Sequence, residues 1–320
     1  MKIALVMGIT GGFGGHVAQA LARKGYSIRA LMRNPGKLPQ RFKGAKVIIG
    51  DAAKIEDVRT AADGVDLIVY AVNPPKYRWE GVVLPLMENT ARVAEEKNLT
   101  VVFPGNVYVF DPRDGPLFDE DAPHNPVSSK GHMRKEMEAR LKIASENGAR
   151  VIIIRMGDFI GENLPSTWFQ FLIKSTKKGY VLAAAGKRNL IHTWAYLPDV
   201  GRTVAELVER KKILEDFSVF HFKGYQVSFN DIAQAMEQAS GRPVSLASFP
   251  WIALQLMSPF NKMYKGLLEM RYLWNAKINL DETRLESALG KAVQHTPLAE
   301  ALLECGFVEH RAGSGQPVRS

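Results

Sequence analysis

One local arrangement near the start of the chain limits what it can fold into. The apolar stretch Ile3–Met7 runs straight into Gly8-Ile9-Thr10-Gly11-Gly12-Phe13-Gly14-Gly15, and a helical pattern follows. Glycines 8, 11 and 14 give G-x-x-G-x-x-G. A chain that leaves a strand sharply, lets a pyrophosphate approach its backbone and starts a helix against a sheet needs positions without side chains. The helix N-terminus then offers free N–H groups and the positive end of its dipole to phosphate. Such a motif is informative only between a strand and a helix, and it has that setting here.

The first half alternates two patterns. Short runs rich in β-branched residues read as buried strands at Ile3–Met7, Ser27–Met32, Lys46–Ile49, 67–71, 100–103 and 151–154. Helical periodicity lies between them at 14–24, 55–62, 83–96 and 130–145. This alternation predicts βαβ units and a parallel sheet, with right-handed crossovers and hence a doubly wound α/β fold. The stretch 156–190 reads as loop-rich, without a clear strand. A helix is predicted over 199–210 with Asp199 as its N-cap, a strand over 217–222, and helical pieces over 228–240, 280–289 and 298–305. The expected architecture is a Rossmann-type doubly wound sheet with a smaller, mostly helical C-terminal substrate domain. Residues 1–160 plus 191–223 form the dinucleotide-binding part, 161–190 plus 224–310 the substrate domain, and 311–320 a disordered tail.

The end of the second strand bears on cofactor choice. An acidic residue there holds the ribose hydroxyls of NAD. Here the sequence is Leu31-Met32-Arg33-Asn34-Pro35-Gly36-Lys37. Arg33 is placed to pair with a 2′-phosphate and stack on adenine, with Lys37 assisting. The alternative is two solvated loop cations. NADP(H) is therefore favoured over NAD(H). Asp51 ends the third strand, positioned for the adenine edge, for capping the helix near Ile55, or for both. After the fourth strand, Ala71-Val72-Asn73 supplies small residues that let the backbone pass beneath a cofactor.

Composition narrows the class. A chain of 320 residues with 46% hydrophobic and 23% charged residues builds one large or two ordinary globular domains. A single cysteine, Cys305, excludes a disulfide framework and a structural zinc cluster, and points to the reducing cytoplasm. No metal site is expected. The net charge of +9 fits either a solvated basic surface or an anionic ligand such as a phosphorylated cofactor. Its basic residues are spread out and no nucleic-acid module is recognisable, so nucleic acid is not expected. The apolar run at Ile3–Met7 is too short for a signal peptide, and no stretch is long enough to span a membrane.

Together these features resemble the extended or atypical short-chain dehydrogenase/reductase superfamily, the NAD(P)-dependent epimerase/dehydratase group. The glycine loop, Arg33, Asp51 and the Ala71–Pro75 turn carry the likeness. So do Val107-Tyr108, the Pro126…Gly131…Glu138 stretch, Arg155-Met156-Gly157-Asp158-Phe159-Ile160-Gly161 and Tyr196-Leu197-Pro198-Asp199-Val200. It runs from residue 1 to about 225. The resemblance implies a cofactor held by Gly8, Thr10, Gly11, Gly12, Phe13, Gly14, Arg33, Lys37, Asp51, Ala71, Val72, Asn73 and Lys130. It also implies an oxidoreductase or epimerase/dehydratase-like activity on a small carbonyl/hydroxyl or nucleotide-sugar-type substrate.

The catalytic groups depart from that pattern. The superfamily uses a Ser or Thr after the fifth strand and Tyr-x-x-x-Lys on the next helix. Aligned by Val107-Tyr108, the hydroxyl position falls on Pro104; aligned by Pro126 and Glu138, the Tyr and Lys positions fall on Lys130 and Arg134. Three readings follow. Lys130 takes over proton transfer, with a pKa lowered by Arg134 and burial, as a lysine does in the isoflavone-reductase-like group. Or Lys130 and Arg134 only bind cofactor, and the chain is a non-catalytic NAD(P)-sensing regulator like the NmrA-like proteins. Or other groups act, among them Tyr108, His132, Asn106, Asp158 and His192. The catalytic candidates are Lys130, Arg134 and Tyr108.

Lesser candidates have plainer readings. His132 points away from Lys130 on a helix, His192 is a structural histidine, and Trp79 serves a core, a lid or a substrate ring. Trp168 and Phe169 are expected over the substrate pocket. The apolar run from Phe249 to Trp274 reads as core of the smaller domain, with an interface to a second subunit or membrane surface as the alternative. The expected partners are a small-molecule substrate, anionic in one reading, and a second copy in a homodimer.

Overall fold

A computed structural model describes residues 2–74, 78–162 and 167–310. The expected tail at 311–320 and Pro75 of the expected turn lie outside these residues. The first five strands are β1 (Ile3–Met7), β2 (Ser27–Met32), β3 (Lys46–Ile49), β4 (Leu67–Tyr70) and β5 (Thr100–Asn106). Strands Arg150–Met156 and Phe217–His221 complete a seven-stranded sheet. Its order is Phe217–His221, Arg150–Met156, β5, β4, β1, β2, β3, and every pairing is parallel. This is the doubly wound arrangement read from the strand–helix alternation. Register aligns the strand ends: Met7 lies opposite Leu31 and Tyr70, and Met32 opposite Ile49. Gly8, Arg33, Gly50 and Ala71 therefore leave the sheet along one carboxyl edge.

The crossover helices are α1 (Gly12–Arg23), α2 (Ile55–Ala61), α3 (Val83–Lys97) and α4 (Ser129–Glu146). They divide the apolar residues into two cores, one on each sheet face. Phe13, Val17 and Leu21 of α1 join Val200, Val204 and Leu207 of helix Leu197–Glu209 on one side. Val58, Met87, Ala91, Met137 and Leu141 pack on the other. Buried parallel strands read as unbroken apolar runs for this reason: both faces are covered. Arg29, on β2, caps α2 from across the layer, its Nη1 donating to the carbonyls of Ala61 and Asp63 at 2.8 and 2.6 Å.

A third core gathers Trp168, Phe169, Leu182, Trp194, Tyr196, Phe229, Met236, Trp251 and Trp274. The stretch expected to lack strands contains three: Asp158–Ile160, Ile173–Thr176 and Gly179–Ala184. Gly179–Ala184 pairs with Ile173–Thr176 and with Val244–Ser248, and Asp158–Ile160 pairs with His192–Tyr196. These short strands have half-exposed faces and carry no continuous apolar run. Asp199 does not cap its helix. Tyr196 holds the cap position, and the buried Asp199 carboxylate accepts from the Thr296 backbone N at 2.7 Å and hydroxyl at 2.8 Å. Trp168 and Phe169 are buried in this core, and Trp168 packs on Phe249, Trp251 and Trp274. Cys305 is half-buried at the margin of this core, where burial pushes its thiol up to about 12.

Candidate functional site

The glycine loop lies on the turn after β4. Gly8 has φ +93°, a conformation other residues rarely adopt. A Cβ on Gly8 would come within 2.3 Å of the Ala71 carbonyl oxygen, and one on Gly14 within 2.4 Å of the Gly8 carbonyl oxygen. The Gly11 amide donates to the Gly8 carbonyl at 3.0 Å, which closes the turn into α1. Gly8, Gly11, Gly14 and Ala71 thus form one backbone-lined cradle at a helix N-terminus. A cleft of about 240 Å³ opens on it, lined by Thr10, Gly11, Gly12, Pro39, Gln40, Arg41 and Glu162. Phe13 is buried in the core beneath the loop and anchors α1.

Arg41 was not distinguished in the sequence, because it sits in a polar loop without a motif. It is nonetheless the cation that lines this cleft. Its guanidinium also stands near His16, whose imidazole is pushed down to about 4 by burial first and by Arg41 second. Arg33 is exposed and stands 4.0 Å from Asp51. Lys37 is exposed on the turn Pro35–Lys37. The Asp51 carboxylate accepts from the Ala53 amide at 3.0 Å; it braces the turn before α2 rather than capping the helix, whose cap position is Lys54. Val72 is half-buried and Asn73 exposed, and the Asn73 side-chain oxygen accepts from Trp79 Nε1 at 3.0 Å.

The second half of the site is built by α4. Ser128 caps the helix, its Oγ accepting from the Gly131 amide at 3.1 Å. A Cβ on Gly131 would fall 2.2 Å from the Tyr108 carbonyl oxygen, so the first turn of α4 rests directly on the turn after β5. Lys130 is thereby buried at the mouth of the sheet. Its ammonium pairs with Glu269, from helix Lys262–Glu269. The same carboxylate accepts from the Ser129 hydroxyl at 2.6 Å and the Lys130 amide at 3.2 Å. Burial pushes the Glu269 carboxyl up, but Lys130 and Ser129 outweigh it and hold it below the usual range. Glu269, 139 residues from Lys130, could not be found by local spacing.

Arg134 does not face the same partner. Its Nη1 donates to the Pro104 carbonyl at 3.1 Å, and the guanidinium lies 4.7 Å from the Trp79 ring and 5.3 Å from Phe103. Burial lowers its pKa. Tyr108 is half-buried, with its ring 6.5 Å from Trp79. His132 is exposed, as its place on the helix predicts. His192 Nε2 lies 2.7 Å from Asp158 and the ring stacks on Trp274 at 4.1 Å, beside a gap of about 10 Å³ lined by Val107 and Leu273.

Behind the site, Arg155 and Glu138 form a buried pair with bonds of 2.9 and 2.8 Å. Arg155 Nε donates to His221 Nε2 at 3.2 Å, so His221 carries its proton on Nδ1, facing the Phe118 carbonyl at 3.2 Å. Burial, then Arg155, holds His221 neutral. Arg155 Nη1 also reaches the Asn106 carbonyl at 3.3 Å, which fixes the end of β5 where Tyr108 begins.

Solved structures share this fold. UDP-N-acetylglucosamine 4-epimerase from Bacillus cereus is similar at 16% identity and TM-score 0.68, over 95% of this chain and 98% of that one. The Bordetella bronchiseptica enzyme WbmH in complex with NAD+ is similar at 18% identity and TM-score 0.69, over 94% and 96%. UDP-glucose 4-epimerase from Brucella ovis in complex with NAD is similar at 14% identity and TM-score 0.71, over 94% and 96%. Among curated proteins, the uncharacterised protein y4nL of Sinorhizobium fredii is 26% identical over 215 residues, a match spanning 60% of this chain and 60% of that relative's length. The NAD(P)H-binding family model matches residues 8–183, the stretch holding the glycine cradle, Arg33, Asp51 and Lys130, and the chain belongs to that family.

Proposed function

We propose that this chain is an NADP(H)-dependent oxidoreductase or epimerase/dehydratase-like enzyme with a non-standard active site. Its substrate would be a small carbonyl/hydroxyl compound or a nucleotide sugar. The loop of Gly8, Thr10, Gly11, Gly12 and Gly14 suits a pyrophosphate, because its glycines let the backbone turn tightly on Ala71 into a helix N-terminus, where a Cβ at Gly8 or Gly14 would meet the Ala71 or Gly8 carbonyl oxygen. Arg33 and Lys37, exposed at the end of β2, would take a 2′-phosphate, and Arg41 would add a cation beside the pyrophosphate. When bound, the nicotinamide ring supplies hydride chemistry. The substrate would sit between residues 1–160 plus 191–223 and residues 161–190 plus 224–310. A reducing cytoplasm suits the single cysteine.

The observation that carries the catalytic reading is the buried Lys130, held at the first turn of α4 by a carboxylate from the C-terminal part of the chain. Lys130 Nζ holds a proton that a substrate oxygen could take. Glu269 aims the ammonium, and Ser129 fixes the carboxylate in turn. Arg134, stacked between Trp79 and Phe103, walls the same edge without competing for Glu269. The three similar solved structures are two 4-epimerases and an enzyme bound to NAD+, which supports the reaction class by likeness of fold.

Replacement of Lys130 by Ala is expected to abolish turnover of a carbonyl and nucleotide-sugar panel while cofactor affinity changes by less than about threefold. A wild-type chain that binds NADPH yet turns over none of the panel would instead make it a cofactor-sensing protein.

A further inference from the structure

The run from Phe249 to Trp274, read from its sequence as core of the smaller domain with an interface to a second subunit or a membrane surface as the alternative, buries only part of itself. In helix Trp251–Met257 and the 3₁₀ turn Ser258–Phe260 that continues it, Trp251 and Leu254 face the third core. Trp251 Nε1 donates to the Ala185 carbonyl at 2.7 Å. The opposite side is apolar and open: Ile252, Leu256 and Phe260 are 77%, 73% and 91% exposed, and Met257 beside them 43%. Spacing of four residues puts Ile252, Leu256 and Phe260 on one stripe. Single exposed apolar residues are ordinary, whereas four large ones within nine residues form a patch that marks an interaction surface.

The charge around the stripe has one sign. Residues 249–275 contain Lys262, Lys265 and Arg271 and a single acidic residue, Glu269. Glu269 is already engaged by Lys130. Arg271 is exposed, with its guanidinium 5.1 Å from the Trp251 ring, and Lys265 is exposed on the next helix. An apolar stripe on a basic segment fits a lipid interface with anionic headgroups: the apolar side chains would enter the headgroup–acyl boundary and the segment's cations would meet the phosphates. A second copy docking face to face would bring these cations against one another, so charge disfavours that occupant.

We propose that this face docks the protein on an anionic membrane surface. The inference goes beyond the NAD(P)H site and does not depend on it. The attachment is peripheral, since no helix among the described residues is long and apolar enough to cross a membrane. The next helix, Lys262–Glu269, carries Glu269 to Lys130, so the docking face lies one helix from the candidate active site.

The test is co-sedimentation of the full chain with phosphatidylcholine vesicles, with and without phosphatidylglycerol, at low and high salt. The proposal expects partition onto the anionic vesicles that weakens with salt and is poor on neutral ones. The paired change Leu256→Ser and Phe260→Ser should lower that partition at least roughly tenfold with melting temperature and far-ultraviolet spectrum unchanged. Absence of partition on anionic vesicles, or equal partition of the paired variant, overturns the proposal. So does a concentration-dependent dimer that the paired variant abolishes while vesicles are ignored, which would give the face to a second copy.

Discussion

Removing the carboxylate of Glu138 should unfold the protein more readily than any surface change of the same size. The Arg155 side chain is 1% exposed and that of Glu138 4%, and two charge-assisted bonds of 2.9 and 2.8 Å join them. In Glu138→Gln the guanidinium stays buried without its counter-charge. Breaking such a pair from one side costs about 3–5 kcal/mol. The lower end applies, because His221 Nε2 and the Asn106 carbonyl still accept from Arg155. Unfolding entropy of roughly 2 cal/mol/K per residue gives about 0.7 kcal/mol per degree for a chain of this length, so the melting temperature should fall by about 4–6 °C. Glu138→Leu combined with Arg155→Met removes both charges and should recover at least half of that loss. Thermal unfolding by calorimetry at pH 7 reads all three proteins. A fall of less than 1 °C in the single variant, or a pair no more stable than the single variant, would refute the reasoning.

Two further outcomes follow from the glycine cradle. Gly14→Val puts a branched side chain where even a Cβ meets the Gly8 carbonyl oxygen at 2.4 Å and the Ala71 Cβ at 2.9 Å; calorimetric titration should show NADPH binding lost, and retained binding would contradict the close approach. His16, neutral and buried, is pushed down to about 4 from 6.5, so between those values the unfolded chain binds more protons than the folded one. Stability from this group is complete above about pH 6.5 and is lost as pH falls through about 4, up to about 3 kcal/mol in all; urea titrations of wild type and His16→Asn across that window should differ in slope, and parallel curves would contradict it.

The doubly wound sheet was legible because its strands are covered on both faces and so read as continuous apolar runs, set between amphipathic helices. The glycine cradle was legible because its geometry forbids side chains, and that constraint is written into the sequence itself. What escaped notice depends on distant partners. Glu269 reaches Lys130 across 139 residues and Asp199 reaches Thr296 across 97, so each looked like an ordinary surface or capping carboxylate. Arg41 joins the cleft only because the loop after β2 folds back on α1. The strands within 158–184 are short and half-exposed, and their pairing with Val244–Ser248 and His192–Tyr196 is set by tertiary packing. In the run from Phe249 to Trp274, hydrophobicity identified the apolar residues but not which of them the fold leaves without a covering layer.

The central claim is that the cradle and the cations beside it bind NADP(H). Calorimetric titration of the purified chain with NADPH and then NADH tests it most directly, with Arg33→Ala alongside. The account predicts tighter binding of NADPH, and in Arg33→Ala a loss of about 1–3 kcal/mol for NADPH with NADH barely changed. Binding of neither dinucleotide, or equal losses for both in the variant, would contradict it.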